Sequence, residues 1–308
     1  MKKNNKFGFV IGMFVVITIL ALALIYISQG AKTRDADLLI MTSTNPVHIA
    51  TLNVTKDVDG ITVENLSQPT TGCLHDYTLT TEDMKKLSKA DALVVSGHGM
   101  EGYLQDVIDS YPELTIIDAS ESAMDYALGS FADVDFDSLQ AAFEENSHIW
   151  MSPALYDGQV DTIAQALAKL DGDNADKYLD NAANYIVSMQ TGLDSLAAYE
   201  KLNGKNVAIL HAAFEYTAID LGANVVADMD LDEERMVSAG EVSEFIDSIQ
   251  DNDVQIVLAE YDYGHDMGEL IEEQTDAKVV YLETLVHGSY DMDSYVEVLN
   301  KNYSLIAQ

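Results

Sequence analysis

The sequence predicts an α/β protein made of two lobes, each with a mostly parallel sheet flanked by helices. From Asp37 onward, short apolar runs alternate with amphipathic stretches, which is typical of a parallel sheet covered by helices on both faces. The alternation occurs twice, on either side of a stretch from Ala154 to Leu202 that has no strand signal. The predicted strands are Leu38–Met41, Ile61–Val63, Ala92–Val95, Leu114–Ile117, Asn206–Leu210, Asn224–Ala227, Gln255–Ala259 and Lys278–Leu282.

Helices are predicted between these strands from the spacing of their apolar residues. Thr81–Ala90 and Met100–Tyr111 are helical candidates in the first lobe, and Glu241–Gln250 carries apolar residues at helical offsets in the second. After a break at Asp171–Asn174, a longer apolar stripe predicts one helix from about residue 174 to 202, roughly 40 Å long at 1.5 Å per residue. The predicted domains are an N-terminal segment (1–34), a first lobe (35–170), a connector helix (171–204) and a second lobe (205–308).

The N-terminal segment has the pattern of a membrane anchor. Lys2, Lys3 and Lys6 precede an uncharged, mostly apolar stretch, Phe7–Ser28, which has the length of a membrane-spanning helix and exceeds a typical signal-peptide core. Because the basic flank stays in the cytoplasm, we expect the rest of the chain on the extracytoplasmic face of the cell membrane. The alternative is a signal peptide cleaved near Ala31, which would leave a secreted or periplasmic protein.

Charge and cysteine content narrow the classes of function. The chain carries 52 acidic and 16 basic residues, for a formal net charge of −36 at pH 7. Such a surface repels nucleic acid and attracts cations, so we expect no nucleic-acid partner. The only cysteine is Cys73, which excludes an internal disulfide framework and leaves no cysteine just after the apolar stretch to carry a lipid.

Three histidines that lie far apart in the sequence are the leading candidates for a functional site. His75 follows a loop and precedes a predicted helix, His148 precedes an aromatic motif, and His211 ends a predicted strand. Open α/β sheets bind their ligands outside the carboxyl ends of their strands, which is where His211 lies. If the fold gathers the three imidazoles, they form the usual ligand set of a borderline-soft divalent metal.

The residues around these histidines resemble the motifs of one protein family. Gly72–Tyr77 reads Gly-Cys-Leu-His-Asp-Tyr and precedes a helix that opens with Thr-Thr-Glu-Asp at Thr80–Asp83. The second and third motifs are His-Ile-Trp-Met-Ser-Pro at His148–Pro153 and His-Ala-Ala-Phe-Glu-Tyr at His211–Tyr216. From about Asp37 to the C-terminus, the chain is similar to the metal-binding solute-binding proteins of ABC transporters, the zinc and manganese cluster A-I or ZnuA/TroA-like family.

This resemblance implies a protein that captures a divalent metal ion between two lobes and delivers it to an ABC permease in the membrane, usually as a monomer. The implied ligands are His75, His148, His211 and Glu283, which follows the last predicted strand, with a bound water as the rival of Glu283. Three imidazoles and one carboxylate suit tetrahedral Zn²⁺, whereas manganese-specific relatives tend to have a carboxylate at the position of His211. Zinc is therefore expected and manganese is the alternative. Glu260 is expected to support the site from its rim.

Two other functions stay open at the level of sequence. A membrane-tethered zinc hydrolase also uses three protein ligands, but the chain has no His-Glu-x-x-His helix and its candidate ligands are divided between two lobes. We therefore expect a binding protein with no catalytic residues rather than an enzyme. A cell-surface adhesin could use the same scaffold, and the sequence does not separate it from a transport receptor. Because the resembled family joins its lobes through one long helix, we expect only a modest domain movement.

Overall fold

Two four-stranded sheets organise the computed structural model, which describes residues 38–66, 79–108, 110–130, 135–229, 231, 237–289 and 291–308. All pairings between neighbouring strands are parallel. The first sheet has the order β2-β1-β3-β4 and comprises β1 (Leu38–Thr42), β2 (Ile61–Asn65), β3 (Ala92–Val95) and β4 (Thr115–Asp118). The second has the order β6-β5-β7-β8 and comprises β5 (Asn206–Ile209), β6 (Asn224–Asp228), β7 (Ile256–Glu260) and β8 (Lys278–Leu282). The predicted two-lobe α/β fold is confirmed, while the predicted domain boundaries stay predictions.

The repeated strand order defines a binding edge in each lobe. β1 lies between β2 and β3, and β5 lies between β6 and β7, so the direction of winding reverses at the same place in both sheets. Ligands of open α/β sheets bind beyond the carboxyl ends of the strands at such a reversal. The segments that follow β5 and β7 therefore lie at the binding edge of the second lobe, and those that follow β1 and β3 at that of the first.

Twelve α-helices occur in the described ranges, beside three short 3₁₀ turns. Where they begin, capping boxes are present at two of them: Thr80 accepts a hydrogen bond from the Asp83 amide, and Ser238 from the Glu241 amide. The helices are α1 (Asn45–Val54), α2 (Thr81–Leu87), α3 (Gln105–Ile108), α4 (Ala123–Ser130), α5 (Phe136–Glu145), α6 (Pro153–Leu170), α7 (Ala175–Gly192), α8 (Leu196–Leu202), α9 (Ala213–Asp220), α10 (Ala239–Asp251), α11 (His265–Gln274) and α12 (Ser294–Ile306).

No helix within the described ranges is long and apolar enough to cross a membrane. The predicted anchor, Phe7–Ser28, lies outside those residues, as does the alternative cleavage site near Ala31. The expectation of an N-terminal membrane segment is therefore carried by the sequence pattern alone.

The two central strands of each sheet are buried on both faces, and one face of each sheet packs into a core shared by the lobes. Ile40 and Val94 of the first sheet belong to the same buried cluster as Ile209 and Leu258 of the second. The alternate residues along the strands, such as Leu93, pack into separate clusters under the outer helices. This two-residue alternation explains why the strands read as continuous apolar runs in the sequence.

Polar contacts cross between the lobes beside the shared core. Trp150, which is fully buried, donates its indole N–H to the Thr284 carbonyl over 2.8 Å, and the Tyr295 hydroxyl donates to the Trp150 carbonyl over 2.8 Å. The ring of Tyr295 also stacks on Tyr156 with centroids 3.7 Å apart. Asn45 of α1 reaches the Leu285 carbonyl over 2.8 Å. These buried hydrogen bonds fix the lobes against each other in the described arrangement, since breaking them would strand polar groups in the core.

The predicted connector helix is corrected by the structure, because it is interrupted. Instead of one helix from about residue 174 to 202, the chain forms α7 and α8, and Leu193 between them has an extended backbone with φ −77° and ψ 128°. The side-chain amide of Asn300 on α12 bridges the break: its Nδ2 donates to the Gly192 carbonyl over 2.8 Å, and its Oδ1 accepts from the Asp194 amide over 2.8 Å. Helix ends leave such backbone groups without partners, and Asn300 supplies them.

Replacing Asn300 by alanine should lower the free energy of unfolding by about 1 kcal/mol, because two backbone groups at the break lose their partner but remain open to water. Ser304→Ala, an exposed change on the same helix, should alter it by less than about 0.5 kcal/mol. Urea unfolding followed by circular dichroism measures both. Equal effects of the two variants would show that the amide bridge does not stabilise the break.

Candidate metal site

The structure brings two of the predicted ligands together where the lobes meet. His148 directly precedes a short 3₁₀ turn, Ile149–Met151, and His211 lies two residues beyond β5. Both side chains are buried, and their ring centroids lie 4.8 Å apart at an interplanar angle of 74°. His75 lies outside the described residues, so its position relative to this pair is a prediction. An imidazole from each lobe therefore meets the other at the binding edge of the second sheet.

Asn146 orients His148, and sequence reasoning missed it. Its side-chain oxygen accepts from the backbone amide of His148 over 3.1 Å and lies 3.0 Å from Nδ1 of the ring. Its side-chain nitrogen donates across the lobes, to the Ala212 carbonyl over 2.8 Å and to Glu215 over 3.0 Å. The Tyr216 hydroxyl in turn donates to the Asn146 carbonyl over 2.6 Å. Asn146 thus fixes one histidine ring and the segment that follows the other.

Glu260 plays the equivalent part for His211. Its carboxylate ends β7, and Oε2 lies 3.2 Å from His211 Nδ1, an ion-pair distance rather than a well-aligned hydrogen bond. The other carboxylate oxygen accepts from the Thr284 hydroxyl over 2.6 Å. Because β5 and β7 are neighbours at the reversal of strand order, the last residue of one faces the loop that follows the other. This contact agrees with the expected supporting role of Glu260.

Glu283 follows β8 as predicted, but its carboxylate lies against a different partner. It forms an ion pair with Lys301 of α12, and its side chain is 29% exposed. The neighbouring Asn302 holds the backbone of Glu283, accepting from its amide over 3.0 Å and donating to its carbonyl over 2.8 Å. The ion pair raises the pKa of Lys301 above its usual value. In the described arrangement, Glu260 rather than Glu283 is the carboxylate beside His211.

Within the ranges that the structure describes, no three His, Cys, Asp or Glu side chains are grouped so as to hold a metal ion by themselves. What these ranges provide is two buried imidazoles with oriented rings. Neutral imidazole nitrogens suit Zn²⁺ and other borderline-soft divalent metals.

Glu101 holds together two loops at the binding edge of the first lobe. Its carboxylate accepts from the Ser43 hydroxyl over 2.6 Å, from the Ser96 amide over 2.7 Å and from the Gly97 amide over 3.0 Å. These donors follow β1 and β3, so one buried side chain holds both loops at the reversal of strand order. Burial raises the pKa of Glu101 to about 7, although the three hydrogen bonds act in the opposite direction.

Comparison with known proteins agrees with the resemblance drawn from the motifs. Residues 40–308 match the profile of the family described as zinc-uptake complex component A, periplasmic. Zinc-binding lipoprotein AdcA of Streptococcus pneumoniae R6 is 25% identical over 292 residues, covering 91% of this chain and 57% of AdcA. The high-affinity zinc uptake system protein ZnuA of Bacillus subtilis is 23% identical over 284 residues, covering 89% of this chain and 88% of that protein.

A solved structure extends the comparison to the fold. The SBP FpvC of Pseudomonas aeruginosa, in complex with Ni²⁺, superposes with a TM-score of 0.73 at 24% identity, covering 88% of this chain and 95% of that one. This likeness concerns the fold alone. The chain spans little more than half the length of AdcA, whereas it spans most of ZnuA. Because the family profile covers nearly all of the two lobes, the protein belongs to the family of zinc-uptake complex component A.

Proposed function

We propose that this protein is an extracytoplasmic receptor that binds a divalent metal ion, zinc foremost, and delivers it to an ABC permease. The observation that carries this proposal is the pair of buried imidazoles whose Nδ1 atoms each face an oxygen, that of Asn146 for His148 and that of Glu260 for His211. An oxygen that faces Nδ1 of a ligating histidine fixes the orientation of the ring and directs Nε2 toward the metal. Such rings are arranged to bind an ion at the point where the lobes meet.

The proposed ligands are His75, His148, His211 and Glu283. The two described histidines come from different lobes, so a small relative movement would weaken bonds on both sides of the ion and favour its release. Glu283 has to leave Lys301 in order to bind metal, and a water molecule is its rival for the fourth position. Four ligands of this kind complete the tetrahedral shell that Zn²⁺ prefers.

Zinc is preferred over manganese because imidazole is the softer ligand and its affinity for Zn²⁺ exceeds that for Mn²⁺. AdcA and ZnuA are named for zinc, whereas FpvC has been solved with Ni²⁺ and with Mn²⁺. The same scaffold thus accommodates several ions. The residue type at position 211 is the feature of this chain that favours zinc.

The proposed location in the cell rests on the same relatives. AdcA is named a lipoprotein and the family profile a periplasmic component, which supports an extracytoplasmic location for this chain. We propose that the Phe7–Ser28 stretch tethers it to the membrane, that it acts as a monomer, and that its partner is the permease of a metal transporter. Attachment is tested by fractionating cells and comparing the mass of the mature chain with that of the full sequence.

The test of the metal assignment is a calorimetric titration of the full, chelator-stripped chain in mild detergent, with Zn²⁺ and Mn²⁺ in competition. We expect one tightly bound Zn²⁺ per chain that excess Mn²⁺ does not displace. Manganese binding that survives zinc would instead make the protein a manganese receptor. The absence of a tight site for either ion would refute the histidine site.

The fourth ligand is tested with two variants of the ion pair and one control. If Glu283 binds metal, Lys301→Ala frees it and should tighten zinc binding a few-fold, and Glu283→Gln should weaken it by roughly tenfold, about 1.4 kcal/mol. Lys278→Ala, an exposed lysine on β8, should leave the affinity unchanged. Wild-type affinity in both ion-pair variants would assign the fourth position to water.

A further inference from the structure

A cavity of about 440 Å³ lies beside the break between α7 and α8, away from the two histidines. Its walls come from α6, from the break itself, from the end of α9 and from α12, so an occupant would touch elements that precede and follow the connector. The volume lies within the range of pockets that hold small organic molecules and far exceeds that of a single metal ion. None of the proposed metal ligands that the structure describes lines it.

Two buried carboxylates give this cavity its chemistry. Asp157 is 2% exposed, and its Oδ2 accepts one hydrogen bond, from Gln190 over 2.7 Å. Asp220 accepts one from the Ser152 hydroxyl over 3.2 Å through Oδ1, while its Oδ2 is buried and accepts none from the described residues. Burial raises the pKa of each carboxyl to about 7. A buried carboxylate oxygen with no donor is costly unless a cation or another donor reaches it.

The remaining lining completes a site for a cation with an apolar body. No lysine or arginine is found among the described residues that line the cavity, so nothing on its walls neutralises the carboxylates. Tyr295, Tyr303, Met189 and Leu193 also line the cavity. Aromatic faces attract ammonium groups, and aliphatic surfaces cover alkyl chains. An anion or a purely apolar molecule would leave the Asp220 oxygen unsatisfied.

We propose that this cavity binds a protonated aliphatic diamine, whose two ammonium groups donate to Asp157 and Asp220 and whose alkyl chain lies against Met189 and Leu193. A diamine matches the site better than a monoamine, since it brings one charge for each carboxylate. The site is separate from the metal site and does not depend on it.

The test uses 1,5-diaminopentane as the probe, titrated by calorimetry into the full, metal-free chain in mild detergent at pH 8.5 and physiological salt, where both carboxyl groups are ionised. We expect saturable binding of one diamine and no binding of 1-pentanol, which has the same chain without charge. Asp220→Asn should weaken diamine binding at least tenfold. A wild-type chain that gives no saturable heat would overturn the proposal.

Because the surface is strongly acidic, a control must separate the cavity from general attraction of cations. Asp180→Asn removes an exposed carboxylate from α7 and should leave diamine affinity unchanged. Equal losses in Asp220→Asn and Asp180→Asn would mean that the diamine binds the acidic surface and would refute the cavity. Asp157→Asn is the second cavity variant, and thermal unfolding confirms that each variant is folded. Zinc affinity should be the same in all three variants. Measuring diamine binding and zinc binding separately therefore tests the cavity proposal and the metal-site proposal independently.

Discussion

Replacing His211 by alanine is expected to weaken zinc binding by more than about 100-fold. The change removes an imidazole that is buried where the lobes meet, 4.8 Å from the ring of His148. Removing a group that only orients a metal ligand lowers the metal affinity by roughly 10–100-fold. Removing the ligand itself should lower the affinity by more than that. Competition against a zinc-sensitive fluorescent chelator measures the affinity of both proteins.

Two further variants serve as comparisons for the loss of zinc affinity in His211→Ala. Glu260→Gln keeps the ligand but removes the charge beside its Nδ1 atom, so its loss should fall within about 10–100-fold. His265→Ala removes an exposed histidine of the same lobe that stacks on Tyr281, and zinc affinity should not change. Wild-type affinity in His211→Ala, or a loss no greater than that of His265→Ala, would contradict the proposed site.

Local sequence patterns predicted the sheets well because parallel strands buried on both faces appear as short continuous apolar runs. All eight predicted strands occur within about two residues of their predicted bounds, and Ile40 and Leu93 illustrate why: each packs into a different buried cluster on opposite faces of one sheet. The position of His211 beyond β5 followed from the same pattern. What local patterns capture is burial and chain direction.

Contacts between distant segments account for what the sequence did not reveal. The break after Gly192 is bridged by Asn300, which lies more than 100 residues further along the chain, so an apolar stripe alone predicted an uninterrupted helix. Asn146 likewise acts through groups beyond His211, although its place two residues before His148 was the one available signal. Lys301, the partner of Glu283, belongs to a helix that no motif connects with the metal site.

Replacing Gly97 by alanine should lower the free energy of unfolding by roughly 3–4 kcal/mol. Gly97 has φ +80°, where a side chain costs about 1–2 kcal/mol. Its new Cβ would also collide with the carboxylate of Asp118 and come within 2.5 Å of the Ser120 hydroxyl. That carboxylate accepts hydrogen bonds from the Ser120 amide and hydroxyl, so moving it away would sacrifice about 1 kcal/mol for each bond. Equilibrium unfolding in urea measures the change.

Gly99→Ala is the matched control, because Gly99 has nearly the same backbone conformation, with φ +83°, but its Cβ would meet no atom within 4 Å. Its cost should therefore be the backbone strain alone, about 1–2 kcal/mol. The difference between the two variants isolates the collision with Asp118, which lies at the binding edge of the first lobe beside the loops that Glu101 holds. If both variants lower the free energy of unfolding equally, the loop at Gly97 accommodates the new Cβ without further loss of stability. The contacts of Asp118 would then not stabilise that edge.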